Sequence, residues 1–146
     1  MSVLIDTNVL VRRVEPVHPH HAAAIIAVDR LLLASEPVYV TLQNLTEAWR
    51  AMTGPKGANG LGFEIAVAQA ELGRIERLFA LLDEDVPAIT AEWKRLVLRH
   101  QVIGLQVYDA RLAAAMIVHS IDRILTFNAA DFTRYGVTVL DPAAVS

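Results

Sequence analysis

The sequence predicts an α/β fold, a three-layer sandwich in which a central, mostly parallel sheet of four to five strands is flanked by helices. Three observations carry this expectation. Short apolar runs alternate with longer stretches of helical periodicity, the order that βαβ units impose. The runs are apolar throughout, as strands buried on both faces are, with no regular polar alternation. No internal repeat, heptad array or low-complexity tract interrupts the pattern, and the chain has 146 residues. Domains cluster near ~100–150 residues, so residues 1–146 are expected to form a single domain.

Element by element, Val3-Leu4-Ile5 opens the chain as a buried strand. Residues 20–34 are rich in Ala, Leu and Ile and long enough for a helix. Pro37-Val38-Tyr39-Val40-Thr41 is β-branched and aromatic, with proline at its start, where a strand tolerates it. Thr41 suits an N-cap for a helix to about Met52, along which Leu42, Leu45, Trp49 and Met52 recur at helical spacing. The glycine-rich segment 54–62 is a loop. Residues 63–82 read as a long amphipathic helix with Gly73 as its weak point, and 86–89 as a strand. A further helix is expected from Thr90 to about Val102, then an alanine-rich one over residues 106–120. Ile124-Leu125-Thr126-Phe127 and Val137-Thr138-Val139-Leu140 close the series as strands.

Composition removes several classes of function. The chain has no cysteine, which excludes a disulfide scaffold, an iron–sulfur protein, a cysteine nucleophile and Cys-ligated zinc. Hydrophobic residues make up 54%, which argues against disorder. No apolar run approaches the ~18 residues of a membrane span, and the first residues lack a basic n-region. A cytoplasmic protein with no membrane contact is expected. The net charge of −3 is not the basic footprint usual for nucleic-acid binders.

The placement of the acids matters more than their sum. Asp6 follows the first strand, at the carboxyl end where parallel sheets bind ligands, with Thr7 and Asn8 beside it. Glu47 lies inside an apolar helix, beyond the reach of its N-terminal dipole. Asp109 heads an apolar stripe of Leu112, Ala113 and Met116 on a helix that is apolar nearly all round. Asn128 and Asp131 follow the strand ending in Thr126-Phe127. Each also reads as a turn, a cap or a solvated side chain. Together they place several carboxylates at one end of a sheet, with no buried Lys or Arg to match. Like charges there repel, and a divalent cation would relieve them. An all-oxygen donor set suits Mg²⁺ or Mn²⁺, ions that serve displacement at phosphorus.

Asp6-Thr7-Asn8 after the first strand, Glu47 on its helix, Tyr108-Asp109-Ala110 with Leu112-Ala113-Ala114, and Thr126-Phe127-Asn128-Ala129-Ala130-Asp131-Phe132 resemble the PIN domain. In length and chain order the sequence is similar to VapC-type toxins of bacterial toxin–antitoxin pairs, from Met1 to about Pro142. The resemblance implies a Mg²⁺- or Mn²⁺-dependent endoribonuclease, the toxin of a type II pair. It also implies a homodimer, an RNA substrate and a cognate VapB-like antitoxin. Asp6, Glu47 and Asp109 match the family's most regular metal-site acids. The position after the threonine-bearing strand, aspartate in many relatives, holds Asn128 here, and an acid appears three residues later at Asp131. The expected catalytic set is therefore Asp6, Glu47, Asp109 and Asp131, with Asn128 assisting at the metal. Asn8 and Thr126 would fix carboxylate orientation.

Val17-His18-Pro19-His20-His21 lacks a spaced third zinc ligand and reads as a polar helix entry. The 54–62 loop lacks the P-loop pattern. Arg12, Arg13, Arg50 and Arg111 lie near the acids in sequence and could meet phosphates. Trp49 and Trp93 read as core, and residues 20–34 and 63–82 as candidate interface helices. A receiver-like phosphoacceptor domain also has a small acidic pocket, but needs a lysine after a late strand; the only lysines are Lys56 and Lys94. A PIN-like RNA- or protein-binding module without activity is the remaining alternative.

Overall fold

A computed structural model describes residues 1–145. Strands β1 (Val3–Ile5), β2 (Val38–Val40), β3 (Ala80–Leu81), β4 (Arg123–Leu125) and β5 (Thr138–Leu140) form one sheet in the order β3-β2-β1-β4-β5. Every neighbouring pair is parallel. Helices α1 (Thr7–Arg13), α2 (His21–Leu33), α3 (Leu42–Thr53), α4 (Ile65–Leu78), α5 (Val86–Arg99) and α6 (Gln106–Val118) supply the crossovers. The expected α/β sandwich is the observed one.

The period-two alternation of β1 explains the layers. Val3 and Ile5 join a core with Val9, Leu10, Ala24, Val28, Ala48 and Met52 from α1, α2 and α3. Leu4 points the other way, against Leu112 and Met116 of α6 and Phe132. The alanines of α6 pack on Ile89 and Leu96 of α5 in a third cluster. Small side chains let α6 lie close to both the sheet and α5. Trp49 and Trp93 pack against these cores, as their apolar frames suggest.

Several boundaries differ from the sequence expectation, and helix α1 (Thr7–Arg13) is an element the sequence reading did not anticipate. The helix expected over residues 63–82 ends at Leu78, and Ala80–Leu81 becomes the edge strand β3, paired to Tyr39 and Val40. The strand expected at 86–89 is instead the first turn of α5. Asp85 caps that helix by accepting the Ala88 N–H, and Pro87 occupies the early position where its missing N–H costs nothing. Asp6 does more than end a strand: its side chain accepts the Thr7 N–H and caps α1.

Strand order reverses at β1. From it the chain steps outward to β2 and β3 on one side, and later fills β4 and β5 on the other. The crevice at the carboxyl ends of β1 and β4 is therefore the switch point where open parallel sheets bind ligands. Asp6 follows β1 there, and Thr126 follows β4.

Candidate active site

Asp6 lies at the floor of this crevice, 7% exposed. Its Oδ2 accepts the Thr126 hydroxyl at 2.7 Å and the Asn8 side-chain amide at 3.4 Å, and its Oδ1 accepts the Thr7 N–H at 2.8 Å. Asn8 also donates to Thr126 Oγ1 at 3.1 Å and accepts the Phe127 N–H at 3.2 Å. Asn8 and Thr126 thus stitch the start of α1 to the end of β4, with the carboxylate between them.

Glu47 reaches the same crevice from α3. Its Oε1 accepts the Thr7 hydroxyl at 3.1 Å and the Gln43 amide at 3.3 Å. Thr7 therefore bridges the two acids, one through its N–H and one through its hydroxyl. The buried Asn44 holds Thr7 in place by donating to its Oγ1 at 3.2 Å. Asn44 is itself fixed by a capping box with Thr41. Gln43, also buried, spans to α6 by donating to the Tyr108 carbonyl at 3.0 Å, one residue before Asp109.

Asp109 is half-buried in the first turn of α6. Burial pushes its carboxyl up to about 7, and the charges of Asp6, Asp131 and Glu47 push the same way, against a smaller opposing effect of Arg134. Asp6 is raised from 3.8 to about 6, chiefly by burial. The Thr126 and Thr7 hydrogen bonds oppose this rise, and Glu47 and Asp131 add to it. These acids therefore share one electrostatic field. Asp131, half-buried in the short turn Ala129–Asp131, belongs to that field. Asn128 joins the network through its backbone, its N–H donating to Thr126 Oγ1 at 3.0 Å, while the residue itself is exposed.

A cavity of about 720 Å³ opens beside the acids, lined by Glu47 and Asp109 and by Arg50, Tyr108 and Arg111. Two of the four arginines noted in the sequence thus reach the site. The others do not: Arg12 pairs with Glu15, and Arg13 stacks over Phe79. His20 stacks on Phe127 at 4.4 Å, and His21 Nδ1 lies 2.8 Å from the Arg12 carbonyl, so the histidines serve the helix entry.

Sequence reasoning passed over Gln43, Asn44 and Arg134. A signal existed for the first two. Gln43 stands one helical turn before Glu47, and Asn44 is the third residue after the Thr41 cap. Arg134 carried none, because its approach to Asp109 depends on a turn the sequence did not define.

Among the described residues no group of three His, Cys, Asp or Glu side chains is gathered tightly enough to enclose a metal ion. The donors nevertheless suit a hard cation: all are oxygens, and Asp6 and Asp109 bear raised pKa values that a positive charge would reverse. Mg²⁺ commonly takes one or two carboxylates and fills its other positions with water and substrate phosphate.

A parallel sheet with carboxylates gathered at its switch point defines an acidic-site α/β domain. Comparison with known proteins makes this specific. The PIN domain family model matches residues 3–137, and the chain belongs to that family. Ribonuclease VapC24 of Mycobacterium tuberculosis (strain ATCC 25618 / H37Rv) is 30% identical over 150 aligned residues, covering 94% of each chain. The fold matches the structure of VapBC-1 from nontypeable Haemophilus influenzae with a TM-score of 0.71 at 15% identity, over 97% of this chain and 98% of that one. It also matches Mycobacterium tuberculosis VapC20, described as a sarcin-ricin loop cleaving toxin, with a TM-score of 0.65 at 19% identity, over 93% and 96% of the two chains.

Proposed function

We propose that this protein is a Mg²⁺- or Mn²⁺-dependent endoribonuclease and the toxin of a type II toxin–antitoxin pair. The observation that carries the reading is the carboxylate set at the switch point, in which Asp6 and Asp109 are raised by burial and further by their acidic neighbours, and Asp6 has no cationic hydrogen-bond partner among the described residues. Full-length similarity to a protein named a ribonuclease supports it. So does a shared fold with VapC20 and VapBC-1.

Asp6, Glu47, Asp109 and Asp131 would hold the cation, with Asn128 at its edge. Bound there, Mg²⁺ or Mn²⁺ supplies the positive charge that activates water and offsets charge on the scissile phosphate. The chain's own residues set the geometry. Thr126 and Thr7 hold the Asp6 carboxylate, so its oxygens do not rotate away from the crevice. Thr7 and Gln43 both donate to Glu47 Oε1, so that Oε2 would be the oxygen offered to a cation. The role of the domain over residues 1–146 is thus charge and position.

A VapB-like antitoxin, a homodimer and a cytoplasmic site of action follow from this reading. No helix among the described residues is long and apolar enough to cross a membrane. Purified protein with Mg²⁺ should cut structured RNA, and EDTA or Asp6→Asn should stop it. Cleavage that persists in folded Asp6→Asn protein would overturn the assignment. Mass measurement in solution tests the dimer, and co-purification with the product of the neighbouring reading frame tests the antitoxin.

A further inference from the structure

The cavity beside the acids has features the carboxylates do not explain. Its about 720 Å³ lies within the ~300–1,000 Å³ typical of small-molecule sites, and its walls mix an aromatic ring, apolar side chains and two arginines. Tyr108 presents its ring at the rim, 51% exposed, directly before Asp109. Arg111, one turn further along α6 than Tyr108, is held from beneath, since its Nη1 donates to Gln43 Oε1 at 3.4 Å. Gln43 is only 7% exposed, so this amide is a fixed support. Its Nε2 binds both the Tyr108 carbonyl at 3.0 Å and Glu47 Oε1 at 3.3 Å. One buried amide therefore sets the spacing of an acid, an aromatic and an arginine.

Arg111 also lines a second cavity, of about 280 Å³, with Ile89, Thr90 and Trp93. The Trp93 indole is locked by donating to the Val107 carbonyl at 3.0 Å. A guanidinium thus stands between two hollows that each contain an aromatic side chain, one of them continuous with the acidic crevice.

We infer that this cavity is a binding subsite for the single-stranded RNA nucleotide next to the scissile phosphate. Its base stacks on Tyr108, and its phosphate meets Arg111, with Arg50 adding charge. The inference rests on the nuclease reading. Its chemistry is that of single-strand binding, in which aromatic stacking tolerates any base and arginine tracks the backbone. It also answers how an acidic chain would hold RNA: the cations Arg50 and Arg111 line the same cavity as Glu47 and Asp109.

The test uses a fluorescein-labelled single-stranded RNA decamer and full-length protein carrying Asp6→Asn, with Mg²⁺ present, so that the probe stays intact. Tyr108→Ala and Arg111→Ala should each weaken binding about tenfold, and Tyr108→Phe should bind as the parent. Arg111→Ala should also lower the slope of log Kd against log salt by about 0.7, and Tyr108→Ala should not. Arg99→Ala, an exposed charge outside both cavities, serves as control. Unchanged binding in both alanine variants would overturn the subsite, and the nuclease reading would stand if the native protein still cuts RNA. Cavity-dependent binding by a native protein that cuts nothing would overturn the nuclease reading alone. A change of oligomeric mass in the variants without a change in RNA affinity would make this face a protein interface and overturn the subsite.

Discussion

Replacing Asp6 with asparagine should stabilise the metal-free protein at pH 8. The folded state raises this carboxyl from 3.8 to about 6, mainly by burial. An acid raised by folding stabilises the native state when protonated, and that stability is lost as pH climbs from the unfolded to the folded pKa. Above the folded value the full difference applies, roughly 3 kcal/mol against the fold. Asparagine removes the charge but meets a mismatch: with its oxygen kept toward the Thr126 hydroxyl and the Asn8 amide, its NH2 faces the Thr7 N–H, which loses its acceptor. That loss is about 1 kcal/mol, leaving a net gain of about 2 kcal/mol. At roughly 2–4 °C per kcal/mol for a domain of this size, the midpoint should rise about 5 °C in EDTA. At pH 4.5 only about 1 kcal/mol of the penalty remains, so the difference should nearly vanish. Thermal unfolding followed by circular dichroism at the two pH values measures both. An Asp6→Asn protein less stable than native at pH 8 in EDTA would refute the claim that this charge is held at a cost. Mg²⁺ should reverse the order by stabilising the native protein alone.

Three further outcomes are expected. Thr126→Val removes the donor to Asp6 and the acceptor used by Asn8 and Asn128, so the Asp6 carboxyl should rise further. Denaturant unfolding should show a loss of about 1–3 kcal/mol, and the acid limb of the RNA-cleavage profile should move to higher pH. Gly60→Ala would place a Cβ 2.1 Å from the Gly54 carbonyl oxygen. That backbone clash should cost about 1–3 kcal/mol, read as a lowered thermal midpoint. Because Asp6 titrates near 6 and Asp109 near 7, protons compete with a cation below neutrality. Mn²⁺ affinity by calorimetry should climb between pH 5.5 and 8 with proton release, and an affinity flat with pH would contradict the site.

Much of the fold could be read from the chain because its elements are locally determined. Val3-Leu4-Ile5 has no polar residue to leave exposed, and Thr41 with Asn44 starts α3 by its own hydrogen bonds. Where local pattern and tertiary context compete, the reading failed. Val86, Pro87 and Ile89 look like a strand, yet the Asp85 cap turns them into helix. Ala80 and Leu81 continue the apolar helix of α4, yet pairing with β2 captures them as an edge strand. The principal acids were visible because each violates its surroundings. Gln43 was not, because a glutamine on a helix is unremarkable until its three partners on α3 and α6 are in place.

The acids also show how the fold tolerates a charge it does not neutralise. Asp6 caps α1, and Asp109 occupies the first turn of α6, where unpaired N–H groups favour an anion. Thr126 and Thr7 add hydrogen bonds that stabilise the ionised Asp6. Both carboxyls remain raised despite this help, so the local dipoles fall short of the cost of burial and mutual repulsion. A buried lysine at the switch point would have closed the gap and filled the crevice. The chain has only two lysines, Lys56 and Lys94, and both are exposed. The deficit is what a cation would relieve under the proposed function. The same deficit accounts for the net charge: without Asp6, Glu47, Asp109 and Asp131, −3 would become +1. The acidity is thus concentrated where a bound metal would invert its sign.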